Sequence, residues 1–370
     1  MIADFNSIVI YLGGLMITLM LAALYSRLEL KLEIANIFWV ALICLPLSII
    51  AGIRTDVGTD YVNYVRIFGD IQELTLFECL THSYLDIGFA TVVRLLWYIT
   101  DSVKLIFFVL TFATLFIAFK TFAKRRDEMS IVLFALMYYL IMYHYSLNIL
   151  RQCLAMSMIM WALDLMIDRK YVKGTIVCVV TMLIHNTAVL GLLFLAVVVM
   201  FNTKKQKAKL AQGQVSGLRI VYYCLVLVSV LIIPTVLNIL MKLPFLKEYS
   251  KHIISDASVG LGRFFYFVIL FAPLILIWKT VESDEKLFSL FHVALLYLPV
   301  SFAGYYFNWA SRMNLYTTSV FIIMIPMALR KEKDKLNRVI VGVWYLIYFS
   351  FLFVSEIWIN NYGETFPYMI

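Results

Sequence analysis

The 370-residue chain is 63% hydrophobic and only 15% charged, with a mean hydropathy of +0.90. That balance excludes a water-soluble globular protein, which needs far more polar surface to cover itself. The formal charge of +8, from 31 basic and 23 acidic residues, lies mainly in short loops between apolar runs, where the positive-inside rule accounts for it without nucleic acid as a partner.

Apolar runs of about the length that crosses a hydrocarbon core of ~30 Å recur along the chain. Lipid forces each run to satisfy its own backbone hydrogen bonds, and the leucine, phenylalanine and methionine content does not alternate as barrel strands do, so the runs are read as helices. The start, MIADFNS, lacks a basic n-region, which makes the first span an expected uncleaved anchor rather than a secretory signal. Spans are expected at 6–25, 33–51, 104–121, 130–146, 152–168, 172–185, 187–202, 218–240, 262–280, 287–305, 313–329 and 338–355. The expected fold class is an all-α polytopic membrane protein of about twelve transmembrane helices, a single integral domain over 1–370 with external loops at 53–84 and 242–261. Basic loops at 120–126, 169–173, 204–209 and 330–338, with the weaker turn at Arg27 and Lys31, are assigned to the cytoplasm. Both chain ends then fall outside. Residues 85–99 are apolar, yet a full crossing there would put the basic 120–126 loop outside. They are read as a re-entrant or interfacial segment, with Asp86 and Arg94 facing protein or water.

The loop after the second span holds the densest polar signal, GIRTDVGTDYVNYVRIF at 52–68. Gly58 and Thr59 supply a turn, Thr59 is a candidate helix cap, and Tyr61 and Tyr64 share one face of the helix that follows. A tyrosine and arginine belt anchored at the interface is the plainer reading, and Arg54 with Asp56 is a candidate structural ion pair. Next comes SLNILRQCLAMSMIMWALDLM. Asn148 and Gln152 lie four apart, which suits a polar pocket wall beside Arg151; snorkelling of Arg151 is the alternative. His185 interrupts a run too long for one crossing and marks a tight external turn. It is a general base, a hydrogen-bond donor to phosphate, or a purely structural donor. Asn308, Arg312 and Tyr316 stand at steps of four and form one stripe if their helix extends that far. Arg263 opens a span in GLGRFFYF, as a ligand contact or an interfacial anchor.

Absent patterns also constrain the chemistry. The chain has no P-loop, no HExxH, no GxSxG and no paired-cysteine metal signature, so nucleotide energy through a recognised motif is not expected. The five cysteines show no CxxC spacing, which argues against a zinc site or disulfide framework. Intramembrane acids are few, and Asp164 and Asp168 lie towards the cytoplasmic end of their helix, so a midplane carboxylate relay of an ion-coupled transporter is not in evidence.

In this order IRTDVGTDYVNYVRIF, LNILRQCLAMSMIMWAL, IHNTAVLGLLF and SRMNLYTTSVFIIMIP resemble the motifs of the EpsG group of Wzy-type polysaccharide polymerases, from about residue 50 to 330. The resemblance implies a GT-C-like, multi-pass glycosyltransferase of the bacterial cytoplasmic (inner) membrane, its active site facing the periplasm or exterior. It implies a substrate of undecaprenyl-diphosphate-linked oligosaccharide, polymerised into O-antigen, capsule or exopolysaccharide; in-line attack by the acceptor hydroxyl would invert the anomeric centre, no cofactor is expected, and no residue is assigned to a metal. A Wzz-type chain-length regulator, a flippase and membrane lipids are the implied partners. On this footing Asp60 and His185 are candidates for the base, and Arg54, Arg151, Arg312 and Arg263 for holding diphosphate. Asp56, Tyr61, Tyr64, Gln152, Asn308, Trp309 and Tyr316 are candidates for binding sugar. An O-antigen ligase-like transferase, an exporter or flippase of lipid-linked sugars, and a membrane acyltransferase are the competing readings.

Overall fold

The computed structural model describes residues 4–30, 32–81, 85–202, 217–240, 262–306 and 308–370. Every regular element among them is helical. In chain order the helices are α1 (Phe5–Arg27), α2 (Glu33–Ile53), α3 (Tyr61–Gln72), α4 (Leu76–Thr81), α5 (Ile87–Trp97), α6 (Val103–Ala123), α7 (Ile131–Ser146), α8 (Leu150–Ile167), α9 (Tyr171–Met182) and α10 (Asn186–Phe201). There follow α11 (Gly217–Leu240), α12 (Gly262–Phe271), α13 (Trp278–Ser283), α14 (Glu285–Leu295), α15 (Tyr297–Tyr306), α16 (Asn308–Lys331) and α17 (Lys335–Phe353). The expected external loop 242–261 and basic loop 204–209 lie outside the described residues.

Among the described residues, seven stretches are long and apolar enough to cross a membrane: α1, α2, α6, α8, Glu285–Gly304, Ser311–Lys331 and Lys335–Ile359. This is the fold of an all-α polytopic membrane protein. The other five expected spans coincide with shorter apolar helices, Ile131–Ser146, Tyr171–Met182, Asn186–Phe201, Gly217–Ile233 and Phe265–Ile275. Hydropathy locates apolar runs but does not see where a helix breaks. The expected 262–280 span is interrupted by a 3-10 turn over Ala272–Ile275, where Pro273 removes a backbone donor. In α7 a π turn over Tyr139–Tyr143 turns Tyr139 and Tyr143 into the core.

The described chain forms two compact units. The first comprises Met1–Met166, Lys170–Leu195 and Leu346–Ile370. In it α2 packs along both α1 and α6, and α3, α4 and α5 pack together. Its two ends differ in chemistry. At one, Arg126 Nη1 donates to the Leu28 carbonyl (2.9 Å). There too the fully buried Asp164 receives Lys124 (2.5 Å) and Arg125. An acid inside an apolar helix persists only when paired in this way. At the other end, segment 360–370 folds onto the loop after α2. Thr55 N–H donates to Met369 O (2.9 Å), Gly58 N–H to Glu364 O (2.9 Å) and Thr59 N–H to Gly363 O (3.0 Å). The loops that the charge rule places on one side therefore meet one another, and so do those placed on the opposite side.

Helix α5 joins the second group. It has 11 residues, too few at about 1.5 Å each to cross a ~30 Å core. Trp97 Nε1 donates to Phe68 O (2.8 Å) and Arg94 Nη1 to Gln72 O (2.9 Å), so its far end packs back on α3. Its near end, at Asp86, touches Arg151. This is the geometry of a segment that does not cross.

The second unit comprises Ile167–Arg169 and Ala196–Tyr345. Its core includes His292, stacked on Phe201 with ring centroids 3.7 Å apart and hydrogen-bonded through Nε2 to Tyr223 (3.0 Å). A set of ion pairs gathers the ends of its elements: Arg169 with Glu285 (2.6 Å), Lys286 with Asp168 (3.2 Å), Arg219 with Glu282 (3.2 Å), and Lys331 with Asp284. Asp284 also caps α14, accepting from the N–H groups of Lys286 and Leu287, each at 3.0 Å.

Candidate functional site

The loop Arg54–Asp60 is held from two directions. Segment 360–370 supplies backbone acceptors, as described above. The turn before α8 supplies Asn148, whose Oδ1 accepts from the Thr59 hydroxyl (3.1 Å). Thr59 is thus engaged with Asn148 rather than capping α3, as the sequence suggested; Asp60 occupies the cap position, and its side chain makes no capping hydrogen bond. Asn148 itself lies in a turn outside α8, so it does not share a helix face with Gln152; both are buried.

Arg54 is fully buried. Its Nη2 donates to the Leu147 carbonyl (2.8 Å), and its guanidinium carbon lies 4.8 Å from the Phe107 ring centroid and 5.8 Å from that of Tyr61. Nε and Nη1 have no hydrogen-bond partner. Tyr11, Tyr143 and Tyr368 stand within electrostatic reach. Cation–π contact in such a desolvated setting is worth about 2 kcal/mol or more, which offsets part of the cost of the two buried donors. The expected ion pair with Asp56 does not form; Asp56 is exposed and in the left-handed region, at φ 53°. Tyr61 and Tyr64 do share a face, but it is the buried one. Tyr61 stacks on Phe107 at 5.1 Å and 16°, and Tyr64 packs on Phe68. The Tyr64 hydroxyl accepts from Arg151 N–H (3.3 Å). In this arrangement neither ring offers a face to a sugar.

Arg151, by contrast, opens onto a cavity. This open cleft of about 610 Å³ is lined by Leu85, Asp86, Ile87, Arg151, Met182, Leu183, His185 and Asn186, within the usual range of about 300–1,000 Å³ for small-molecule sites. The walls come from the N-terminus of α5, the first turn of α8 and the α9–α10 turn. Gly88 makes the junction possible. Its N–H donates to Leu183 O (2.7 Å), and a Cβ there would fall 2.8 Å from that same oxygen. Arg151 Nη1 pairs with Asp86 Oδ2 at 3.3 Å, and the two side chains are 25% and 18% exposed. Burial outweighs the favourable charge of Arg151 and holds the Asp86 carboxyl above the ordinary value.

The His185 ring has a defined tautomer. Its Nδ1 accepts from Thr187 N–H (3.3 Å) and lies 3.0 Å from the Thr187 hydroxyl. A backbone N–H can only donate, so the neutral imidazole carries its proton on Nε2. His185 therefore caps this turn through Nδ1, which is the structural role among the three that the sequence left open to it.

The remaining candidates lie elsewhere. Asp60 is half-buried at the head of α3 and is not a cavity residue. In the second unit, α16 extends over Asn308, Arg312 and Tyr316, which meets the condition for a stripe. Arg312 is exposed and Tyr316 fully buried. The side chains of Arg263, Asn308 and Trp309 lie outside the described residues. Two features escaped the sequence reading as parts of this end: Asp86, whose only signal was a charge at the head of an apolar segment, and the segment 360–370, which carries no motif.

The EpsG family model matches residues 37–370. Searches of curated proteins and of solved structures gave no match.

Proposed function

The chain belongs to the EpsG family of Wzy-type polysaccharide polymerases, and from that premise we propose that it joins undecaprenyl-diphosphate-linked oligosaccharide repeats on the outer face of the bacterial cytoplasmic membrane. Membership makes the coarse activity glycosyltransferase-like polymerisation. In the proposed reaction an acceptor sugar hydroxyl attacks the anomeric carbon of the lipid-linked chain and displaces the lipid diphosphate with inversion. The bond broken is already activated, so no nucleotide is consumed. A Wzz-type regulator and a flippase are the proposed partners.

The observation that supports this reading is the cavity where Arg151 and His185 meet. Arg151 is the second residue of α8, so its guanidinium adds to the partial positive charge of a helix N-terminus. Its planar fork suits two phosphate oxygens. The Nε2–H of His185 adds a neutral donor. Together they would stabilise the charge that develops as the C1–O bond breaks. Arg54, enclosed by aromatic rings, is proposed as a brace for the loop, and Arg312 as a second diphosphate contact.

The test uses purified protein and a synthetic lipid-diphosphate repeat. Wild type yields a ladder of longer glycans without nucleotide. Arg151→Ala lowers the rate by about 10²–10³-fold at normal expression, as does Arg312→Ala. An undiminished ladder from Arg151→Ala removes the cavity from the mechanism. Passage of the lipid across vesicles with no ladder favours an exporter.

A further inference from the structure

The polymerase reading leaves open which group takes the proton of the attacking hydroxyl, and we propose that it is Asp86, with the cavity as the place where acceptor sugar and leaving diphosphate meet. The inference rests on that reading. Three observations carry it.

Asp86 is the one carboxylate among the residues that line the cavity. His185, the other titratable candidate there, presents a proton rather than a lone pair, because Thr187 N–H occupies its Nδ1. Asp60 is absent from the lining.

Asp86 is also built in from both sides. It stands at the cap position of α5, yet its side chain makes no capping hydrogen bond. The carboxylate is turned instead to Arg151 at 3.3 Å. Two residues later, Gly88 locks α5 to Leu183. The separation from Arg151 exceeds the ~2.7–2.9 Å of a tight charge-assisted hydrogen bond, so the pair positions the carboxylate without saturating it.

The environment suits a base. Burial raises the carboxyl above its usual value, which makes its anion a better proton acceptor. Among the described residues that line the cleft, the charged or titratable groups beside it are Arg151 from α8 and His185 from the α9–α10 turn.

The step balances. The acceptor oxygen forms a bond to C1 of the donor sugar, and the C1–O bond to phosphate breaks with its electron pair leaving on the diphosphate. The hydroxyl proton passes to Asp86, then to water. As Asp86 is neutralised it releases Arg151, whose charge becomes available to the diphosphate as negative charge accumulates there. The ion pair thereby couples proton removal to leaving-group departure. The walls contributed by Leu85, Ile87 and Met182 give apolar surface for a sugar ring.

The experiment compares the full chain with Asp86→Asn, which keeps the shape of the side chain, in the ladder assay. Asp86→Asn is expected to lose about 10²–10⁴-fold in rate while binding the lipid-linked substrate as wild type does. Azide needs no deprotonation. Added azide is expected to restore release of lipid diphosphate from Asp86→Asn, with a glycosyl azide detected by mass spectrometry. A wild-type ladder from Asp86→Asn overturns the proposal. So does an inactive Asp86→Asn that azide does not rescue, because that assigns Asp86 to folding or binding. Absence of a ladder from wild type itself overturns the polymerase reading, and this inference with it.

Discussion

Asp86 and Gly88 show how much of a membrane site rests on two adjacent constraints. The carboxylate is kept partly out of water, and the glycine lets α5 approach the Leu183 carbonyl closely enough to keep it there. A methyl group at position 88 would meet backbone oxygen and carbon at 2.8 and 2.9 Å, and backbone cannot rotate away as a side-chain tip can. Gly88→Ala is therefore expected to destabilise the protein by about 1–3 kcal/mol, read as a lower unfolding temperature in detergent, and to weaken polymerisation by moving Asp86. Gly69→Ala is the control. It lies in a helix with nothing within 4 Å of the added methyl, and the gain in helix propensity of up to ~1 kcal/mol makes it neutral or stabilising. Equal losses in the two variants would remove the close contact as the cause. Arg151 and His185 could be read from the sequence because a charge or imidazole inside an apolar run is costly and marks itself. Asp86 marked itself only as a charge facing protein or water. Its role depends on Arg151, 65 positions away, a juxtaposition that no local pattern encodes.

Among the elements, the segment 360–370 has the largest effect for the least sequence signal. It bonds through its backbone to Thr55, Gly58 and Thr59. Gly363 has φ 88°, and a Cβ on it would lie 2.4 Å from Asn148 Nδ2. The left-handed conformation therefore disfavours a side chain there, and the Asn148 amide would have to shift to admit one. Gly363→Ala is expected to loosen the segment, and the amides of Thr55, Gly58 and Thr59 to exchange with deuterium at least tenfold faster than in wild type, while those in the middle of α6 do not change. Unchanged exchange at the three amides would mean that other contacts suffice to hold the loop. The helices themselves were largely legible, because lipid compels every backbone group in an apolar run to bond within its own helix. Their interruptions were not. The π turn of α7 and the end of α12 before Pro273 arise from packing, and the engagement of Thr59 by Asn148 overrode a local capping preference.

At the scale of the whole molecule, the charge rule divided the loops into two sets, and each end of the first unit brings together residues of one set. Single-cysteine variants test the division. Asp56→Cys, Asp101→Cys and Glu364→Cys are expected to react with an impermeant thiol reagent from one side, and Glu29→Cys and Lys333→Cys from the other. Labelling of position 101 together with position 29 would make α5 a crossing helix, leave the 53–84 loop where it is, and reverse the side assigned to the loops that follow, beginning with 120–126. Long-range closure has a further consequence during synthesis. The Tyr11 hydroxyl bonds to Thr365 O across 354 positions, and Tyr368 N–H to Ser7 across 361. While the ribosome is still feeding the chain into the bilayer, Leu147, Phe107 and Tyr61 are already available to Arg54, whereas Tyr368 has yet to be translated. The amides of Thr55, Gly58 and Thr59 must wait for their acceptors until residues 363–369 emerge, so this polar end sets late.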